Sequence, residues 1–276
     1  MTASEGRFAF GANWRKFLAT LDTVRIQRAE SSLLEMLRLE TLSESSFLDI
    51  GCGSGLFSLA ARRLGARVRS FDYDPESVAC AYILRERYFP QDPVWTIETG
   101  SALDAVYMNS IGRFDIVYSW GVLHHTGHLW RALDLAEKCV APGGRLFIAI
   151  YNDQGWRSGV WLRVKRAYVA GGAVARRALL LGSLLLLWGP TWLRELCQGR
   201  PGYTWRNYRS LRGMHPWRDL VDWVGGYPFE VARPEQIFDF FRNRGYTLER
   251  LVTAAGGIAC NEFVFRKSAS DAKDAK

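Results

Sequence analysis

The chain has 276 residues, 48% of them hydrophobic and 23% charged, which is enough apolar content for one large α/β domain carrying an insertion. Five cysteines (Cys52, Cys80, Cys139, Cys197, Cys260) form neither a CxxC pair nor an even framework, and no N-terminal stretch reads as a secretory signal, so a reducing cytoplasm is expected. The net charge of +8 is local: residues 151–233 hold 13 Lys and Arg against 5 Asp and Glu, an excess equal to that of the whole chain, along with seven of the eleven tryptophans.

In chain order, apolar residues at helical spacing from Trp14 to Leu39 predict one or two helices. Phe47–Ile50 reads as a strand, Leu56–Leu64 as a helix stopped by Gly65, Val68–Phe71 as a strand, and Pro75–Arg87 as a helix opened by Asp-Pro. Strands at Val94–Glu98 and Phe114–Ser119, a helix at Leu129–Val140, a Pro142–Gly144 turn and a strand at Arg145–Ile150 follow. After the insertion come a helix, Pro234–Arg244, and strands at Thr247–Val252 and Asn261–Arg266. Alternating strands and helices imply a doubly wound, mostly parallel seven-stranded sheet whose closing hairpin supplies the antiparallel strand. The expected organisation is an N-terminal helical lid (1–44), a cofactor-binding core (45–150), a helical, basic, Trp-rich insertion (151–233), the end of the sheet (234–267) and a disordered polar tail (268–276).

The longest apolar run, Ala178–Leu193, falls short of the roughly 20 residues a spanning helix needs and is broken by Gly182, Gly189 and Pro190. It reads as an amphiphilic hairpin with a possible peripheral membrane contact rather than a transmembrane segment.

Phe47 to Gly55 (FLDIGCGSG) runs a buried strand into a glycine loop at a helix start, where a ligand can lie against bare peptide. The second strand ends in Phe71-Asp72-Tyr73-Asp74, placing a carboxylate where a doubly wound sheet meets ribose hydroxyls. A dinucleotide-binding loop needs a third glycine at position 56, and Leu56 stands there.

FLDIGCGSG, FDYD, GSALD, FDIVYSWGVLHH and APGGRLFIAI together resemble the successive motifs of class I S-adenosylmethionine-dependent methyltransferases, over residues 45 to 150 and again 234 to 267. Within that family the chain is similar to the ubiquinone-biosynthesis type and related small-molecule O-methyltransferases. The resemblance implies S-adenosylmethionine as cofactor, with Asp49, Gly51, Cys52 and Gly53 along its methionine portion, Asp72 on the ribose and Tyr73 on the adenine. It further implies Ser101, Ala102 and Leu103 against the adenine, with Asp104 near the exocyclic amine, and Ser119 at the end of the fourth strand. Aromatic N-terminal segments of similar enzymes cover the cofactor, which makes Phe8, Phe10, Trp14 and Arg15 lid candidates.

A hydroxyl acceptor needs a base. The loop after the fourth strand carries His124, His125 and His128; His125 is the first candidate, His124 the second, and His215 in the insertion the rival. Either loop histidine could instead satisfy backbone groups. Adjacent histidines converge poorly on zinc and no cysteine joins them, so a metal-free reaction is expected. Base-methylating enzymes carry Asn/Asp-Pro-Pro-aromatic after this strand; Ser119-Trp120-Gly121-Val122 differs, which argues against a nucleic-acid substrate. Tyr151, Asn152, Arg212, Trp217, Asp219, Tyr227 and Glu230 are the substrate-binding candidates, weighed against a cap in which they pack or solvate. The expected reaction is methyl transfer to a hydroxyl of a small anionic acceptor such as a saccharide or sugar nucleotide, with a lipid or quinone-type acceptor as the alternative. A basic nucleic-acid-binding module or a non-catalytic cofactor sensor stands outside these.

Overall fold

The computed structural model describes residues 11–19, 21–212 and 216–269, and these divide into two compact units. The larger, running from residue 11 to 154 and from 230 to 269, is built on a seven-stranded sheet: β1 (Ser46–Ile50), β2 (Arg67–Asp72), β3 (Trp95–Thr99), β4 (Phe114–Trp120), β5 (Val140–Tyr151), β6 (Tyr246–Val252) and β7 (Cys260–Lys267). The spatial order is β3-β2-β1-β4-β5-β7-β6. Strands β1 to β5 pair in parallel, and β7 lies antiparallel between β5 and β6, as the closing pair of strands predicted.

Helices cover both faces because the strand residues alternate between two apolar layers. On one face Phe47, Tyr118 and Val264 pack with α2 (Thr23–Leu37), α3 (Leu56–Arg63) and α4 (Pro75–Tyr88); on the other Leu48, Val117 and Phe263 pack with α5 (Ala105–Ser110), α6 (Leu129–Lys138) and α11 (Pro234–Arg242). The Asp-Pro start of α4 works as read: Pro75 occupies the first turn and Asp74 accepts the Glu76 amide. The short helix α5 was not legible beforehand; Asp104 caps it by accepting the Val106 and Tyr107 amides. The expected turn at Pro142–Gly144 is a bulge inside β5, where pairing steps from Phe114–Val140 to Ile116–Arg145. Ser268, the first residue of the expected polar tail, bonds to the Gly245 carbonyl through both its amide and its hydroxyl, and residues 270–276 lie outside the described residues.

Residues 155–229 hold α7 (Trp156–Ala170), α8 (Ala173–Cys197), α9 (Tyr203–Arg212) and α10 (Pro216–Gly225). Helix α8 corrects the predicted hairpin: the chain runs as one helix through Gly182, Gly189 and Pro190. Tertiary contacts on both sides of the proline outweigh its lost backbone bond, with Trp188 and Trp192 each packed edge-on or tilted against Trp205 of α9.

Lys165 of α7 is fully buried; its amine donates to the Trp223 carbonyl and sits over the Trp223 and Phe229 rings. Burial pushes that amine down to about 7. Between pH 7 and 10 the unfolded chain therefore binds the extra proton, and folded stability rises with pH. Relative to Lys165→Met, the wild type should gain on the order of 3 kcal/mol over that window, measured as urea midpoints; a difference independent of pH would show that Lys165 stays charged in the fold.

Candidate active site

The glycine loop is held by the end of the neighbouring strand. Gly51 and Cys52 both donate their amides to the Phe71 carbonyl, at 2.8 and 3.0 Å, and Gly53 donates to Asp72 Oδ2 at 2.9 Å. Asp72 Oδ1 accepts the Asp74 amide, also at 2.9 Å. Positive φ at Gly51 and Gly53 is what lets the loop turn this tightly. A Cβ on Gly51 would meet Val122 Cγ1 at 2.4 Å, and one on Gly53 would meet the Trp14 indole at 3.1 Å. The loop after β4 and the helix α1 (Gly11–Leu18) thus close on it from two sides. α1 is tied down by the Gly11 amide on Asp74 Oδ2 and an Arg15–Glu76 ion pair. Trp14 and Arg15 therefore stand where a lid was expected, while Phe8 and Phe10 lie outside the described residues.

Asp49 does not line an open surface. Its carboxylate is buried, accepts the Ser58 hydroxyl, and heads a chain that continues through Ser70 to the Trp95 indole. Burial pushes it up to about 7, and pushes Asp72 up to about 6 against the opposing hydrogen bonds from the Asp74 and Gly53 amides. Tyr73 follows Asp72 and is 48% exposed. In the loop after β3, Ala102 is buried, Leu103 half-buried, and Ser101 Oγ accepts the Leu103 amide. Ser119 is buried and donates to the Ile50 carbonyl, so it ties β4 to β1 rather than offering its hydroxyl outward.

The two loop histidines differ. His124 is fully buried, its ring tilted against that of Tyr151 with centroids 4.0 Å apart, its Nδ1 accepts the Tyr151 amide at 3.4 Å, and its carbonyl accepts the Glu230 amide. His125 is half-buried, edge-on to the same Tyr151 ring at 5.4 Å. Three substrate candidates are engaged in the fold itself. Glu230 caps α6 by accepting the Leu129 amide with both oxygens, Asn152 accepts from Asn261, and Asp219 accepts the Tyr208 hydroxyl within the smaller unit. Tyr227 lies under the Arg166 guanidinium and Trp217 is partly exposed, both also in the smaller unit. Arg212 ends α9, and His215 falls outside the described residues.

One residue, Glu262, escaped the sequence reading. Trp120, Ala149 and Glu262 sit side by side across β4, β5 and β7 at the carboxyl edge of the sheet. Burial raises the Glu262 carboxyl above the usual range. Glu262 opens onto a groove of about 550 Å³, lined also by Arg28, Ser32, Glu35 and Arg250.

Residues 23–220 match the family described as "Methyltransferase domain". The chain belongs to this family. It is 28% identical over 138 residues to a ubiquinone biosynthesis O-methyltransferase of Xanthomonas oryzae, across 50% of this chain and 53% of that one. A namesake from Methylobacterium is 34% identical over 119 residues, 41% of this chain and 43% of that one. The chain thus spans about half the length of the curated relatives it matches. Among solved structures, the magnesium protoporphyrin IX methyltransferase of Synechocystis with bound SAH superposes with a TM-score of 0.53 at 14% identity, over 90% of this chain and 89% of that one. An O-methyltransferase family protein from Burkholderia thailandensis reaches 0.54 at 13% identity, over 89% and 58%. These two likenesses agree with the doubly wound methyltransferase sheet seen here.

The residues fit the S-adenosylmethionine that this family uses: a carboxylate at the end of β2, a loop whose Gly51 and Gly53 carry no side chain of their own, and an apolar loop after β3. Because burial raises Asp49 and Asp72, the folded state binds more protons than the unfolded chain between about pH 4 and 7, and stability falls as pH rises through that window. Asp49→Asn should flatten this slope and raise the melting temperature at pH 8, a gain of roughly 1–4 kcal/mol. An unchanged pH profile would place the Asp49 carboxyl in the ordinary range.

Proposed function

We propose that the protein transfers a methyl group from S-adenosylmethionine to a hydroxyl of a small acceptor, and that His125 takes the acceptor's proton. The observation that carries this reading is the glycine loop, pinned by Asp72 on one side and met by Val122 of the histidine loop on the other. That contact makes the donor cradle and the His125 loop neighbours. When bound, S-adenosylmethionine supplies an electrophilic methyl on a cationic sulfur, so the protein's task is alignment and proton removal. Asp72 would accept the two ribose hydroxyls while keeping its bond to Gly53. Tyr73, Ala102 and Leu103 would hold the adenine between apolar surfaces. Trp14, set over Gly53, would exclude water from the methionine end.

His125 is favoured over His124 because it is the less buried of the two, whereas His124 is enclosed under Tyr151. Glu262 is a second base candidate, supported by its raised carboxyl and by its place on the sheet edge.

For the acceptor, the relatives' names and the exposed leucines of α8 favour a quinone-type or other lipid-like phenol. The rival is an anionic saccharide or sugar nucleotide, favoured by the 12 Lys and Arg against 3 Asp and Glu in residues 155–229. A panel of both acceptor classes, read by mass spectrometry for methylated product, separates them: turnover confined to the sugar acceptors would overturn the lipid reading.

Asp72→Ala should weaken S-adenosylmethionine binding about 100-fold by calorimetry, the loss of two hydrogen bonds to a charged group. His125→Ala should keep that affinity and lower kcat by roughly 10²–10⁴-fold. If His125→Ala turns over normally and Glu262→Gln does not, the base is Glu262.

A further inference from the structure

We propose that α8 lies in the plane of an anionic lipid bilayer and anchors the protein there through its outward leucines. The inference stands on the helix itself and does not depend on the acceptor. By length and composition alone α8 could cross a membrane. Its packing and its charges argue for a different placement. Leu180, Ser183 and Glu195 are buried within the smaller unit, and Glu195 accepts the Thr204 amide at the start of α9. That side of the helix is committed to protein. On the other side Val174, Leu181, Leu185 and Leu196 fall within about 60° of one another around the helix, with Leu186 and Leu193 beside them. These six are 56–83% exposed. A helix that packs Leu180, Trp188 and Trp192 against protein and also turns these six apolar side chains outward is unusual in water and marks a surface that meets something apolar.

The charges select the occupant. Arg176 and Arg177 stand before the apolar stretch and Arg194 after it, leaving residues 178–193, about 24 Å of helix against the roughly 30 Å of a hydrocarbon core. That length suits a helix lying flat, its leucines among acyl chains and its arginines at the headgroups. Residues 155–229 carry 12 Lys and Arg against 3 Asp and Glu, so a second copy of the chain would bring like charge to the same face, whereas an anionic leaflet brings the opposite.

The test is flotation of the full chain with vesicles of phosphatidylcholine alone and of phosphatidylcholine with phosphatidylglycerol. The protein should float with the anionic vesicles and less so as salt rises. L181S/L185S/L186S should lose at least about ten-fold of the bound fraction while its melting temperature is unchanged. Arg177→Glu, a single exposed change that spares the leucines, should weaken binding to the anionic vesicles as well. Absence of flotation with either vesicle, or equal flotation of the triple variant, would overturn the proposal. So would a wild-type dimer, seen by light scattering, that the triple variant dissociates without any vesicle binding in either protein.

Discussion

The bond from the Gly53 amide to the Asp72 carboxylate is the constraint on which the rest of the candidate site depends. Asp72 joins three things: the end of β2, its own turn through the Asp74 amide, and the glycine loop that leaves β1. Asp74 repeats the device one step on, capping α4 and receiving the Gly11 amide of α1. Two carboxylates in three residues therefore fix a strand end, a helix start, a loop and the helix that lies over it. The cost is desolvation, visible in the raised Asp72 carboxyl, and the charged form is retained only because backbone amides surround it.

The sheet order explains why these groups meet at one place. β1 lies between β2 and β4, so the loops leaving β1 and β4 turn toward opposite faces and open a crevice at the carboxyl edge. Val122 reaches back across that crevice to Gly51, and the short turn Leu123–His125 follows it immediately. Donor loop and histidine loop are consequently coupled by a close contact between a glycine and a β-branched side chain, and any bulk added at Gly51 would push His125 away along with the loop.

What could be read from the sequence follows from how local each constraint is. The strands, the glycine loop and Asp72 were legible because backbone geometry and short apolar runs mark them within a few positions. Trp14 was legible as a lid residue only through the family resemblance. The polar candidates were harder, since an acceptor-binding group and a helix cap use the same residue types near the same chain breaks. Glu230, Asn152 and Asp104 turned out to satisfy the α6 start, Asn261 and the α5 start. Pro190 misled for a related reason: its helix-breaking tendency is local, whereas the tryptophan packing that overrides it comes from α9. Glu262 needed the pairing of β4, β5 and β7, which no spacing along the chain reports.

The attachment of residues 155–229 carries the last step. Where the chain leaves the sheet and where it returns are bonded to each other: the Ala232 amide donates to the Tyr151 carbonyl, and the Asp153 amide to the Ala232 carbonyl. The returning strand is also pinned to the histidine turn, through the Glu230 amide on the His124 carbonyl and the Glu230 carboxylate on the start of α6. With its ends closed this way, the intervening segment adds little loop entropy to the core and can change in length and composition without disturbing the sheet. The same bonds hold His124 and Tyr151 in place, so the stability of the insertion's stem and the position of His125 are one problem. That arrangement lets a segment with its own surface chemistry leave and rejoin the sheet while the glycine loop, held by Asp72 and Gly53, stays untouched.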